Sequence, residues 1–289
     1  MLSSLLDISI LERTLLDILP LWVIFPLTGL IAGFMAGLFG IGGGFIIVPI
    51  LLFVLPEIGI DKELATHFAI GTSLACIVIT SISSTRSHHL RQSVNWQLLK
   101  PVAPGLIIGA ILASKIASLV SGAVLMSVFV VGALVTALYL FFSKANKIKT
   151  ESKSVRKADN LNYFIFGNFT GFISSLIGIG GGSILVPFYV FKGQGAHSAV
   201  GTAAACGFPV ALFGAMGYLV IGWNVAQDIE YSSGFIYWPA FIGIIVFSIF
   251  GAPIGVKVAH TFEESTLKKI FALFLVFTGS QIIYTQWFS

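Results

Sequence analysis

Residues 37–50 read GLFGIGGGFIIVPI, and residues 175–188 read SLIGIGGGSILVPF. Gly40, Gly42, Gly43, Gly44, Val48 and Pro49 recur at one constant spacing as Gly178, Gly180, Gly181, Gly182, Val186 and Pro187. A phosphate-binding loop would follow its glycines with a lysine and a hydroxyl, and the first stretch has phenylalanine and isoleucine there. The dinucleotide fingerprint fails as well, because its last glycine would fall on Phe45. The glycines sit in long apolar runs, so their meaning depends on the solvent those runs occupy.

That solvent is a bilayer. The chain of 289 residues is 56% hydrophobic and 10% charged, with a mean hydropathy of +0.98, against about 25% charged in soluble domains. A multi-pass protein of a cell membrane, the bacterial inner membrane, is expected. Residues 1–20 carry Asp7, Glu12, Arg13 and Asp17 without a basic start, so they read as an amphipathic interfacial segment and not as a cleavable leader. Cys76 and Cys206 lie in apolar runs and suggest no disulfide framework. The basic balance points to lysines on cytoplasmic loops, not to nucleic acid.

The duplication extends beyond the glycines. His67, Gly71, Thr72 and Cys76 answer His197, Gly201, Thr202 and Cys206, and Trp96, Gly109, Ala110 and Lys115 answer Trp238, Gly251, Ala252 and Lys257. The expected fold is therefore an all-α polytopic membrane protein of two homologous halves, 21–143 and 161–289, joined by the basic linker 144–160. Apolar segments fall near 21–39, 43–56, 64–85, 97–117 and 123–142, then 161–177, 181–192, 197–221, 235–256 and 266–287. The second of each five is short: fourteen residues cover about 21 Å, less than the roughly 30 Å hydrocarbon core.

Loop charge favours a crossing for the short segments. Five crossings per half invert one half relative to the other and put Arg86, Arg91, Lys100, Lys257 and the linker on the cytoplasmic side, with Glu57, Asp61, Asp228 and Glu230 outside. Eight spans with two re-entrant loops is the alternative.

A glycine break at membrane depth is tolerated where it is buried in protein or lines a wet cavity. The amides of Gly42, Gly43, Gly44 and Phe45, and of Gly180, Gly181, Gly182 and Ser183, would be donors at helix N-termini, where the macrodipole is positive. Matched short segments in two halves point to a transporter's site in a wet cavity between them; close packing through small residues is the competing reading. Pro49 and Pro187 kink the short helices. His67 and His197 would be donors at the cavity rim or interfacial caps, and Thr72, Ser73 and Thr202 would offer hydroxyls to an anion or bond back to their own helix. His88 and His89, beside Arg86, read as a solvated loop cluster. The apolar segments hold no deep carboxylate, which disfavours a cation channel or a metal transporter. No metal, cofactor or catalytic residue is expected, since HExxH, CxxC and an acidic dyad are all missing.

Paired GxGGGxxxVP motifs, here GIGGGFIIVP and GIGGGSILVP, each followed by a His-to-Gly-Thr stretch and a Gly-Ala helix, resemble the TauE/SafE sulfite exporter family, also called the toluene sulfonate uptake permease family. The likeness runs from about residue 21 to 287. It implies a membrane transporter, an exporter in the first reading, for small sulfur-containing or organic anions such as sulfite, sulfoacetate or other sulfonates. A proton-coupled uptake permease is the alternative, and an intramembrane enzyme the remoter one. The implied partners are a small anionic substrate and the lipid bilayer; a homo-oligomer is left open.

Overall fold

A computed structural model describes residues 2–142, 160–259, 261, 272, 273, 275–277, 279, 280 and 282. The linker expected at 144–160 lies outside these save for Asn160, as does much of the segment expected at 266–287, whose described residues are helical. The elements are α1 (Leu2–Phe39), α2 (Gly44–Glu57), α3 (Lys62–Leu90), α4 (Trp96–Ala117), α5 (Gly122–Phe142), α6 (Asn160–Ile177), α7 (Gly182–Phe191), α8 (Ala196–Gly222) and α9 (Trp238–Ala259). A small antiparallel ribbon, β1 (Ser232–Ser233) and β2 (Ile236–Tyr237), joins α8 to α9. Residues 2–20 continue without a break into the first span as one helix.

Six of these helices are long and apolar enough to cross a bilayer: α1 from Leu21, α3, α4, α5, α8 and α9. The protein is thus a multi-pass, nearly all-helical membrane protein. The two short helices are where the glycines forecast them. With 14 residues in α2 and 10 in α7, they span about 21 and 15 Å, roughly two thirds and one half of a bilayer core of about 30 Å.

Contacts fix which ends share a face. At the start of α3, His67 Nε2 lies 3.1 Å from the Ala117 carbonyl at the end of α4, and its ring is 5.0 Å from that of Phe235. At the other end of α3, His88 Nε2 donates to Gly37 O at 3.0 Å, near the end of α1. There Trp96 Nε1, opening α4, donates to His89 Nδ1 at 3.3 Å. Hence α1, α3 and α9 run one way, and α4, α6 and α8 the other.

This geometry decides what the short segments do. A Cβ on Gly43 would lie 2.7 Å from Ala32 O of α1, so the chain turns back after Phe39 before α2 begins. A Cβ on Gly42 would lie 2.8 Å from Ile77 Cγ2, near the middle of α3. From there α2 leads back to the face where α3 starts. Each short helix therefore covers the half of the membrane between a mid-depth glycine turn and one face.

Two seams hold the bundle together, and each joins segments from opposite halves. Gly29, Gly33 and Gly37 of α1 lie against the backbone at Ile244, Ser248 and Ala252 of α9. Gly105 and Gly109 of α4 do the same at Phe164 and Asn168 of α6. Without a hydrophobic driving force between helices in lipid, close approach through small residues supplies the packing energy. The main core gathers Phe45, Ile47, Leu51, Phe68, Leu74 and Phe129 around α2 and α3; a second, smaller cluster gathers Leu106, Leu185, Tyr189 and Cys206 around α7 and α8.

Candidate functional site

The two glycine turns meet in the middle of the protein. Gly180 N–H donates to Ile41 O at 3.2 Å, and a Cβ on Gly42 would lie 3.1 Å from Gly180 Cα. Gly44 abuts the carbonyl of Gly178, and reciprocally Gly182 abuts the carbonyl of Gly40. The space between Gly42 and Gly180, expected from sequence as a wet gap for substrate, is thus filled by the two backbones themselves. Gly42, Gly44, Gly180 and Gly182 are small because another chain segment passes directly over them.

What remains open is on the flanks of that contact. Gly43 and Gly181 cap α2 and α7 in the left-handed region, with φ of 86° and 77°, and neither helix has a side-chain cap. The N–H groups of Gly42, Gly43 and Gly44, and of Gly181, Gly182 and Ser183, have no backbone acceptor among the described residues. A buried helix start without capping partners calls for a ligand or water to satisfy its donors. The buried polar side chains of the described residues are serines, threonines, two histidines and Gln194. The surroundings therefore offer donors and no negative charge.

The hydroxyls named from sequence have structural partners. Thr72 Oγ1 accepts from Tyr237 N at 3.0 Å, just before α9, and Thr202 Oγ1 accepts from Asn95 N at 2.9 Å, just before α4. Each threonine of one half thus satisfies the backbone that opens a helix of the other. Ser73 Oγ donates to Gly178 O at 2.8 Å and braces the second turn. Replacing Thr72 or Thr202 by valine keeps the shape and strands a backbone N–H, at a cost of about 1–3 kcal/mol. Both variants should melt at lower temperature in detergent; unchanged melting would contradict the capping role.

The two histidines stand apart from the turns. His67, 8% exposed, is held by Ala117 O one side and ten residues along α3 from Ile77, about 15 Å away. His197 is exposed in the first turn of α8; the turn packs on that helix at Gly207, whose Cβ would lie 3.2 Å from Gly180 O. Phe45 is buried in the core, its ring tilted against that of Phe129 at 5.7 Å. Pro49 and Pro187 lie inside α2 and α7, each one turn beyond the break. Cys76 and Cys206 are both buried free thiols, and Cys206 Sγ lies 3.3 Å from Tyr189 OH.

Two features went unread in the sequence. His88 is buried at 1% exposure, not solvated in a loop, because α3 continues to Leu90. The stripe Ile77, Ser81, Ser84, His88, at helical spacing, is the signal that it faces inward. Beside Gly181, α6 presents Thr170 and Ser174, both fully buried. Ser174 Oγ is 3.5 Å from where a Gly181 Cβ would stand. Their spacing of one helical turn, directly before the second glycine motif, is the signal in the sequence that they share a face.

A family model described as Sulfite exporter TauE/SafE matches residues 25–282. The chain is 36% identical over 250 residues to a "Probable membrane transporter protein" of Haemophilus influenzae, covering 86% of this chain and 93% of that one. It is 27% identical over 289 residues to the "Probable membrane transporter protein YunE" of Bacillus subtilis, covering 93% and 99% of the two chains. No solved structure matches it.

Proposed function

Because the chain belongs to the TauE/SafE sulfite exporter family, we propose that it exports small sulfur-containing or organic anions, such as sulfite, sulfoacetate or other sulfonates, holding them at a buried helix start beside the central glycine contact. The observation that carries this reading is the pair of mid-depth helix N-termini, Gly43–Gly44 and Gly181–Gly182, with no side-chain cap. An anion supplies the acceptors those amides lack and meets the positive end of each macrodipole. A cation would meet the same positive end of each macrodipole. The reciprocal contacts of Gly40 with Gly182 and Gly44 with Gly178 are those of a pseudo-two-fold axis, and support two inverted halves.

The test is flux from proteoliposomes. Vesicles loaded with labelled sulfite, sulfoacetate or rubidium should release the anions at least tenfold faster than protein-free vesicles and retain rubidium equally well. Release of rubidium, or of neither anion, would overturn the proposal.

A further inference from the structure

We propose that the second glycine turn alone holds the anion, in a dry oxyanion site made by the N–H groups of Gly181, Gly182 and Ser183 with the hydroxyls of Ser174 and Ser183, the Thr170 methyl closing its wall. This rests on the transporter reading above and locates the bound charge on one side of the central contact.

The two turns have the same glycines and different walls. At the first, a Cβ on Gly43 would meet Ala32 O at 2.7 Å and Ala32 Cβ at 3.0 Å, so α1 closes directly over the turn. At the second, the nearest atoms to a Gly181 Cβ are Ser174 Oγ and Thr170 Cγ2, both at 3.5 Å, and Leu185 Cδ1 at 3.7 Å. At the same offset as the glycines, Ala32, Ala36 and Phe45 of the first half are replaced by Thr170, Ser174 and Ser183 of the second. Three apolar side chains are replaced by hydroxyl-bearing ones, of which Ser174 turns its Oγ and Thr170 its methyl toward the helix start.

Those hydroxyls are unspent. Thr170 Oγ1, Ser174 Oγ and Ser183 Oγ are buried without a hydrogen-bond partner among the described residues, and Thr170 and Ser174 are 0% exposed. Serine and threonine in helices commonly bond back to their own carbonyls, as Thr80 does to Cys76 O. Leaving a buried hydroxyl unpaired is costly, and Ser174 Oγ and Ser183 Oγ, with the amides of one helix N-terminus, form a donor set that a compact oxyanion can take up. Sulfite, or the head group of a sulfonate, has the several acceptor oxygens this requires. Ser175, next to Ser174, points elsewhere: its Oγ lies 2.5 Å from the Gly214 Cβ position on α8.

The experiment measures sulfite binding to the purified full chain by calorimetry and by thermal shift, with Ser174→Ala, Ser183→Ala and Ser175→Ala. The first two should weaken binding about tenfold, roughly the loss of one charge-assisted hydrogen bond. Ser175→Ala should stay within twofold of the unmodified protein. Ser174→Ala without sulfite should melt no lower than the unmodified protein, because it removes an unpaired buried hydroxyl, and its sulfite-induced shift should shrink. If Ser174→Ala melts lower and binds sulfite as before, the hydroxyl is structural and the one-sided site is wrong. Sulfite release from vesicles with unaltered affinity in all three variants would overturn the site and leave the transporter reading standing. An unmodified protein that neither binds sulfite nor releases any anion would overturn both.

Discussion

Gly181→Ala should reduce anion efflux from proteoliposomes at least a hundredfold while the protein remains folded, and Gly43→Ala should instead be lost from the membrane. Both glycines have left-handed φ, which costs an L-residue roughly 1–2 kcal/mol. Space is what separates them. The methyl on Gly181 finds its neighbours at ordinary contact distance, 3.5 Å from Ser174 Oγ and Thr170 Cγ2, and comes to rest between the open amides and the hydroxyls. On Gly43 it lies 2.7 Å from a backbone carbonyl of α1, where a seam with α9 prevents α1 from yielding. Membrane yield and melting temperature report the fold; efflux of labelled sulfite reports the site. Equal behaviour of the two variants, either in yield or in efflux, would remove the distinction between the turns.

The glycine motifs made the fold class legible, since a break followed by a segment of fewer than twenty apolar residues constrains the backbone locally. Membrane depth, the short helices and the placement of most spans follow from such local signals. Partner choice does not. Nothing adjacent to Thr72 announces Tyr237 N as its donor, and the seams of α1 with α9 and α4 with α6 depend on glycines more than a hundred residues or some sixty residues apart. Apolar periodicity says that a face is buried and is silent on what buries it. The candidate site was half legible for the same reason. The amides at Gly181 to Ser183 belong to the motif, whereas Ser174 comes beside Gly181 from the preceding helix through the fold of the turn.

The interlocked halves also bear on how substrate moves. Each seam pairs a helix of one half with a helix of the other, so the sequence halves cannot part as two separate blocks without opening α1–α9 and α4–α6 contacts made backbone to backbone. Motion consistent with these seams keeps each pair together. Any rigid-body shift that preserves both seams would move α1 with α9 and α4 with α6 as pairs. The second glycine turn follows α6 directly, through Ile179 N–H donating to Ser174 O at 2.9 Å, so a shift of α6 carries the proposed anion site with it.

Export should run on membrane voltage alone. The buried polar groups of the described residues include no carboxylate, so no proton carrier of that type is found there among them. His67 is engaged with Ala117 O, and His197 is exposed at the start of α8; both are about 15 Å along their helices from the turns. A monoanion leaving a vesicle with negative interior gains about 2.3 kcal/mol per 100 mV, equivalent to a roughly fiftyfold concentration ratio. In proteoliposomes at equal pH and equal sodium on both sides, a potassium diffusion potential, inside negative, should drive labelled sulfite out against its gradient. The efflux should reverse when the potential is reversed. His67→Gln with His197→Gln should slow this flux severalfold, by weakening the end of α3, and leave its voltage dependence intact. Efflux that ignores the potential and demands a pH gradient, together with its loss in the double histidine variant, would replace this uniport with a proton-coupled carrier working through the histidine pair.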